Sequence, residues 1–149
     1  MDEEPPIKLF VMGVNQWRHE LEWPLARTKF TPWYFHSGGK ANSLSGDGRL
    51  SLEKPGDEEK DDYTYDPKFP TPTKGGCNCC MPELVAWGAY DQRSVEIRSD
   101  VLVYTSDPLR EDIEVTGPVV VKLHASTDCK DTDFTAKLVD VHPDGYAVN

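Results

Sequence analysis

The stretch HSGGKANSLSGDGRL, residues 36–50, places Ser43 and Ser45 a few residues from His36 among glycines. A serine nucleophile needs a general base within hydrogen-bond reach, and histidine commonly supplies it. On an α/β scaffold such a serine sits in G-x-S-x-G, because the strained strand-to-helix turn tolerates only small neighbours. Ser43 lies in ANSLS with no flanking glycine, and the position two before Ser45 is Ser43 itself. No helical pattern follows either one. The stretch therefore reads as a pair of turns joining two strands, the second carrying the Asp47-Gly48 signal of a hairpin. No catalytic residue is assigned to the chain.

The cysteines pose the next question. GGCNCCMPE holds Cys77, Cys79 and Cys80, with Cys129 remote in sequence. Soft thiolates suit zinc and copper, but structural zinc draws four ligands from two C-x(2–4)-C pairs. C-x-C-C is tighter than that and no second pair exists, so Cys77, Cys79 and Cys80 are weak metal candidates, and neither a metal nor another cofactor is expected. Clustered thiols without a secretion signal suggest a reducing, cytoplasmic setting. Asp128, Asp131 and Asp133 crowd one loop that lacks the glycine and distal glutamate of a calcium loop, so it reads as a solvated turn with Asx caps. His124 and His142 read as surface histidines. Trp17, Trp23, Trp33 and Trp87 suit either a sugar-stacking platform or, as is commoner in an all-β domain, a core or an interface.

These groups sit on a chain dominated by strand signals. The apolar run Ile7–Val14 predicts a strand covered on both faces. Lys29–Ser37 is aromatic and β-branched, with Pro32 confining it to an edge, a start or a bulge. Asp100–Ser106 alternates. So does Pro118–Ser126, with Val119, Val121, Leu123 and Ala125 on one side and Lys122 and His124 on the other. Asp133–Val141 follows, and His142–Tyr146 (HPDGY) is a turn in which Pro sets φ and Gly supplies a positive one. Gln16–Thr28 has room for one helical turn before Pro24. Residues 53–76 are rich in charge and proline, a long surface excursion with Tyr63, Tyr65 and Phe69 expected to pin it.

Composition narrows the function classes. The 149 residues carry 26 acidic against 16 basic side chains, a net charge of −10. Phosphate backbones and anionic membranes attract clustered Lys and Arg, so neither nucleic acid nor a membrane surface is an expected partner. No run approaches the ~20 apolar residues of a membrane span. The acidic MDEEPPIK start lacks the basic and apolar regions of a signal peptide. A strand beginning almost at once, and a last turn at DGYAVN, are expected of a segment cut from a larger protein.

Three segments carry a resemblance. IKLFVMGVNQWRHELEWPLARTKFTPWYFHSGGKANSLS, DPKFPTPTKGG, and the stretch from DQRSVEIRSDVLVYTS through VTGP to DTDFTAKLVDVHPDG together resemble the C-terminal domain of the CocE/NonD serine hydrolases, a family of acyl esterases and Xaa-Pro dipeptidyl-peptidases. The resemblance runs from about Ile7 to the end; only the region around CNCC stands apart. It implies an all-β, jelly-roll or galactose-binding-like β-sandwich, one domain over residues 1–149 with a long loop at about 53–80, incomplete at its C-terminal end. It implies a non-catalytic domain that packs on the α/β-hydrolase and cap domains of a parent chain and helps shape the substrate cleft. Trp17 and Trp23, and the loop through Cys77–Cys80, are the docking candidates. An unclosed sheet edge would invite self-association. A free-standing carbohydrate- or protein-binding sandwich is the alternative.

Overall fold

The computed structural model describes residues 4–149; residues 1–3, on which the reading of the leader partly rests, lie outside it. Its regular elements are strands with one short helix, so the chain is all-β. None of its helices is long and apolar enough to cross a membrane. The chain divides into two compact units, one built from the chain up to Thr31 with Leu109–Lys130, the other from Pro32–Pro108 with Asp131–Asn149.

In the first unit β1 (Ile7–Val11) and β2 (Gln16–Glu20) form an antiparallel hairpin, with Val11 opposite Gln16 and Ile7 opposite Glu20. The apolar run ends at Val11 rather than Val14 because the chain turns through Gly13 (φ 85°) and Asn15 (φ 54°). Nor is β1 covered on both faces. Ile7, Leu9 and Val11 are half-buried while Lys8 and Phe10 point outward, the alternation that a strand with one solvated face requires. Gln16–Glu20, read as room for a helical turn, is strand because pairing with β1 outweighs a weak local preference.

A line of alternating charge ties this hairpin to the 109–130 segment. The Glu114 carboxylate accepts two bonds from the Arg18 guanidinium, at 2.9 and 2.6 Å. Arg18 Nε lies 2.6 Å from Glu20 Oε1, out of line for a hydrogen bond and so a plain ion pair. Arg27 forks onto Glu20 from the other side. Glu20 is buried, and a buried carboxylate needs such partners to stay ionised. Arg27 first, then Arg18, holds its carboxyl below the usual range against the opposing push of burial. Arg18 likewise holds Glu114 down, at about 2. The Thr28 hydroxyl adds a 3.0 Å bond to the Thr116 carbonyl.

Pro118–Ser126 alternates in sequence but forms no strand. Val119, Val120, Val121 and Leu123 are all exposed, and among the described residues no ladder partner pairs with them. Alternation marks a face; a strand exists only with a hydrogen-bonded neighbour.

In the second unit β3 (Tyr34–His36), β4 (Arg49–Ser51) and β5 (Thr105–Ser106) make one small sheet, β3 antiparallel and β5 parallel to β4. Of the predicted strands Lys29–Ser37 and Asp100–Ser106, only these ends join the sheet, with Leu102 adding an isolated antiparallel bridge to Asn42. α1 (Arg93–Glu96), which no sequence pattern announced, follows DQ and buries Val95. Of the expected Asp133–Val141 strand only β6 (Asp140–Val141) forms; it pairs with β7 (Ala147–Val148) across the expected HPDGY turn, closed by Gly145 N–H to His142 C=O at 2.8 Å with Gly145 at φ 81°. Ala41, Val95, Ala147 and Gln92 are the buried centre of this unit.

The long excursion after β4 carries no strand or helix, but it is not pinned by its aromatics. Tyr63, Tyr65 and Phe69 are all exposed. Carboxylates and carbonyls do the pinning. Asp61 accepts the Ala41 N–H (2.8 Å) and the hydroxyls of Ser37 and Tyr104 (2.7 Å each). The Asp62 carbonyl accepts from Asn42, and the Phe69 carbonyl from Arg98. Burial pushes the Asp61 carboxyl up, yet its three donors outweigh that and hold it below the usual range. An excursion of this length has many backbone groups to satisfy and little apolar surface to hide, so polar anchors prevail.

Candidate functional site

The second unit has an open cleft of about 370 Å³, lined by His36, Ser37, Gly38, Asp47, Arg49, Ser51, Glu53 and Glu58. Strands β3 and β4 bring His36 and Ser51 together, and the charged excursion closes over them. His36 Nδ1 lies 2.7 Å from Glu58 Oε1, and His36 Nε2 lies 3.1 Å from Ser51 Oγ. At first sight this is the serine, histidine and acid of a hydrolase.

The remaining contacts exclude that role. His36 Nε2 is also 2.9 Å from the Glu53 carbonyl oxygen. A carbonyl has no proton to give, so Nε2 carries one, and a nitrogen that carries a proton cannot take the serine's. On the other side Nδ1 donates to a carboxylate. Both ring nitrogens are donors, and the ring is an imidazolium held by acceptors. Ser51 Oγ is itself an acceptor, from the Glu53 N–H at 3.1 Å. Glu58 Oε2 accepts the Ser37 N–H as well. The arrangement is a clasp that fastens residues 53–58 to the sheet.

Its electrostatics follow. The bond to Glu58 raises the His36 pKa above its usual 6.5, burial opposing and the Glu53 carbonyl helping. The same bond lowers that of Glu58 below its usual 4.5. A raised histidine gives stability in full below about pH 6.5 and loses it as pH climbs through the folded value. A lowered glutamate gives stability above about pH 4.5 and loses it as pH falls through its own folded value. The clasp is therefore complete between about pH 4.5 and 6.5. Thermal unfolding scans of the intact protein from pH 6 to 9 should show a falling midpoint, and His36→Asn should remove that part of the slope. An unchanged slope in the variant would mean His36 does not hold the clasp.

The sequence candidates fall elsewhere. Ser43 (φ 65°) and Ser45 belong to a turn closed by Gly46 N–H to Ser43 C=O at 3.1 Å, and Ser43 Oγ accepts the Ser45 N–H. Asp47 caps the same connection by accepting the Gly38 and Lys40 N–H groups. Cys77, Cys79 and Cys80 lie on an exposed loop closed by paired hydrogen bonds between Gly76 and Gly88. Cys79 and Cys80 bring their sulfurs to 3.0 Å, whereas Cys129 is in the other unit. Among the described residues no three His, Cys, Asp or Glu side chains are grouped to hold a metal ion.

None of the four tryptophans is core in this chain. Trp17 faces outward opposite Phe10, ring centres 5.3 Å apart and tilted 59°, with Lys8 Nζ 5.2 Å from its centre. A cation lying over the ring occupies the face that a sugar would stack on. Glu58, Glu53, Ser51 and Asp61 escaped the sequence reading. Glu58 and Asp61 lie in a run, GDEEKDD, in which nothing local separates an anchoring carboxylate from a solvated one.

In the described residues the His36–Ser51–Glu58 cluster is thus locked as a clasp that fastens the excursion to the sheet. Residues 1–149 match the model of the X-Pro dipeptidyl-peptidase C-terminal non-catalytic domain, and the chain belongs to that family. It is 46% identical over 144 residues to cocaine esterase of Rhodococcus sp., a match covering 97% of this chain and 25% of that protein. It is 32% identical over 151 residues to Mb1866c of Mycobacterium bovis and to MT1883 of Mycobacterium tuberculosis, whose names assign them to the serine esterases; each match covers 95% of this chain and 21% of the relative. The chain thus spans about a quarter or less of the length of these relatives. The likeness to CocE/NonD hydrolases read from the sequence is borne out.

Proposed function

We propose that this chain is the C-terminal accessory domain of a larger serine hydrolase acting on esters, docked onto that protein's α/β-hydrolase and cap domains through the outward face of its β1–β2 hairpin. The reaction would be acyl transfer: a serine attacks the ester carbonyl, a histidine moves its proton, and backbone N–H groups receive the oxyanion, all on other domains. This chain's part is to wall the substrate cleft and hold its neighbours in place, since small misplacements of reacting groups cost rate steeply.

The observation that carries the reading is the hairpin's outward face. Phe10 and Trp17 pair there at 5.3 Å and, with Met12 and Val14 in the adjoining turn, are 46–66% exposed, and exposed apolar side chains grouped in this way suit an interface. The names of the relatives favour esters over dipeptides as the substrate class.

Trp17→Asp in the intact protein is the test. Interface tryptophans rank among the residues whose truncation costs ~2 kcal/mol or more, and an introduced charge adds desolvation. The variant should lose roughly ten- to a hundredfold in kcat/KM for a small ester, while Glu83→Gln on the exposed cysteine loop leaves it unchanged. Equal activity and equal thermal unfolding of the Trp17 variant would rule out docking through this face.

A further inference from the structure

The three thiols of the Gly76–Gly88 loop are unused by anything above. The loop is built to present them. Paired bonds between Gly76 and Gly88, at 2.6 and 3.1 Å, cinch its base. Gly75 (φ 65°), Gly76 (φ 91°) and Gly88 (φ 97°) all adopt backbone that side chains resist, and a Cβ at Gly75 would run into the Gly88 carbonyl. Asn78 Nδ2 donates to the Gly75 carbonyl at 2.9 Å, fixing the turn between Cys77 and Cys79. Beyond the cysteines, Leu84 and Val85 N–H groups both bond the Met81 carbonyl. Between these two fixed turns Cys79 and Cys80 are exposed, with sulfurs 3.0 Å apart.

We propose that Cys79 and Cys80 form a reversible vicinal dithiol–disulfide site, oxidised by low-molecular-weight disulfides of the glutathione class. The Cys79 thiolate attacks one sulfur of the small disulfide RSSR, forming a mixed disulfide and releasing RS⁻. The Cys80 thiol loses its proton and attacks the Cys79 sulfur, closing the S–S bond and releasing a second RS⁻. Two protein thiols give up two electrons, RSSR takes them, and the two protons end on the two RSH molecules.

The order of attack has a physical basis. Cys80 shares its hydrogen bond with Cys79, and this contact pushes its thiol up. With its thiol pushed up, Cys80 holds its proton to higher pH, and the 3.0 Å contact sets its sulfur against Cys79, so Cys79 is the first nucleophile and Cys80 the resolving thiol. Closure is fast because the second sulfur is already in contact. It is also easily reversed. Neighbouring Cα atoms stand about 3.8 Å apart, below the usual span of a disulfide, so the closed ring is strained and belongs with the labile, regulatory class. Cys77 is exposed as well, but the sulfurs in contact are those of Cys79 and Cys80, and Cys77 takes no part.

Trypsin reads the outcome directly, because Gly75–Arg93 is a single tryptic peptide between Lys74 and Arg93 carrying all three cysteines. The intact protein is incubated with oxidised glutathione, alkylated, digested and weighed. The expected peptide has lost two hydrogens, carries one alkyl group and bears it on Cys77; excess reduced glutathione restores three alkyl groups. In Cys80→Ser the reaction should stop at one glutathione attached to Cys79. An alkyl group on Cys79 or Cys80 in the oxidised wild type, a stable glutathione adduct there, or no reaction at all would each overturn the proposal. Because the readout is mass and not turnover, it stands or falls apart from the docking of the β1–β2 hairpin.

Discussion

Gln92→Ala should be among the most damaging single changes in this chain, lowering the thermal midpoint of the second unit by about 10 °C. Gln92 is 1% exposed and every polar atom of its amide is engaged. Nε2 lies 2.9 Å from the Lys74 carbonyl, 2.8 Å from that of Tyr90 and 2.9 Å from Asn149 Oδ1. Oε1 accepts from Lys137 Nζ at 2.9 Å. One side chain thus joins the end of the long excursion, the start of α1, the 131–139 stretch and the C-terminal β7 region. Truncation leaves two backbone carbonyls without their donor, and each buried orphan costs about 1–3 kcal/mol. A cavity adds to that. The sum is about 3 kcal/mol, which for a domain of this size is the stated fall in midpoint. Gln92→Glu should do nearly as badly, since it replaces the donor with a further acceptor facing three oxygens. A loss of less than 2 °C in both variants would show that water replaces the amide without cost.

The neighbours of Gln92 explain why DQR is a recognisable word. Asp91 accepts from the Arg93 N–H and its guanidinium, at 3.1 and 2.7–3.0 Å, and Arg93 holds the Asp91 carboxyl down at about 2. The middle residue is a structural hub and its two flanks brace the helix start. The hub is not visible in the letters, because three of the groups that Gln92 bonds, on Lys74, Lys137 and Asn149, are remote in sequence. The parts that were legible share a feature: their cause is local. The HPDGY turn and the turn at Ser43–Gly46 both rest on residues within a few positions of each other.

What was not legible depends on pairing. Ile7–Val14 and Pro118–Ser126 look alike as apolar segments, yet only the first gained a ladder, because β2 follows it directly while the second has no partner among the described residues. Gln16–Glu20 holds no clear strand signal of its own and is a strand by virtue of β1. The clasp is the sharpest case. The local pattern sets His36 near Ser43 and Ser45, but the serine it does approach, Ser51, comes from the opposite strand, and the acid from an excursion whose path no period describes.

Gly48→Ala should disrupt the three-stranded sheet from its centre. Gly48 immediately precedes β4, and its carbonyl accepts the Thr105 N–H at 3.3 Å, the first tie between β4 and β5. The strands run so close here that an added Cβ would fall on the Val103 carbonyl oxygen and come within 2.9 Å of Ala41 Cβ. Neither obstacle can swing aside: one is backbone, and the other is a methyl group with no exposure at all. The strand must move bodily, and with it the Val103 N–H bond to Ala41 C=O, 2.8 Å in the native arrangement. Overpacking of this sort costs about 1–3 kcal/mol where side chains can shift and more where they cannot. The expected loss is at least 3 kcal/mol, a fall of about 10 °C in midpoint, with the Thr105 and Val103 amides exchanging far faster with deuterium. Gly56→Ala is the matched control: nothing lies within 4 Å of its added Cβ, so it should be neutral or slightly stabilising through the unfolded chain. If both alanines behaved alike, the close approach of β4 to residue 103 would not exist in solution. The sheet that holds His36 and Ser51 side by side would then need another register.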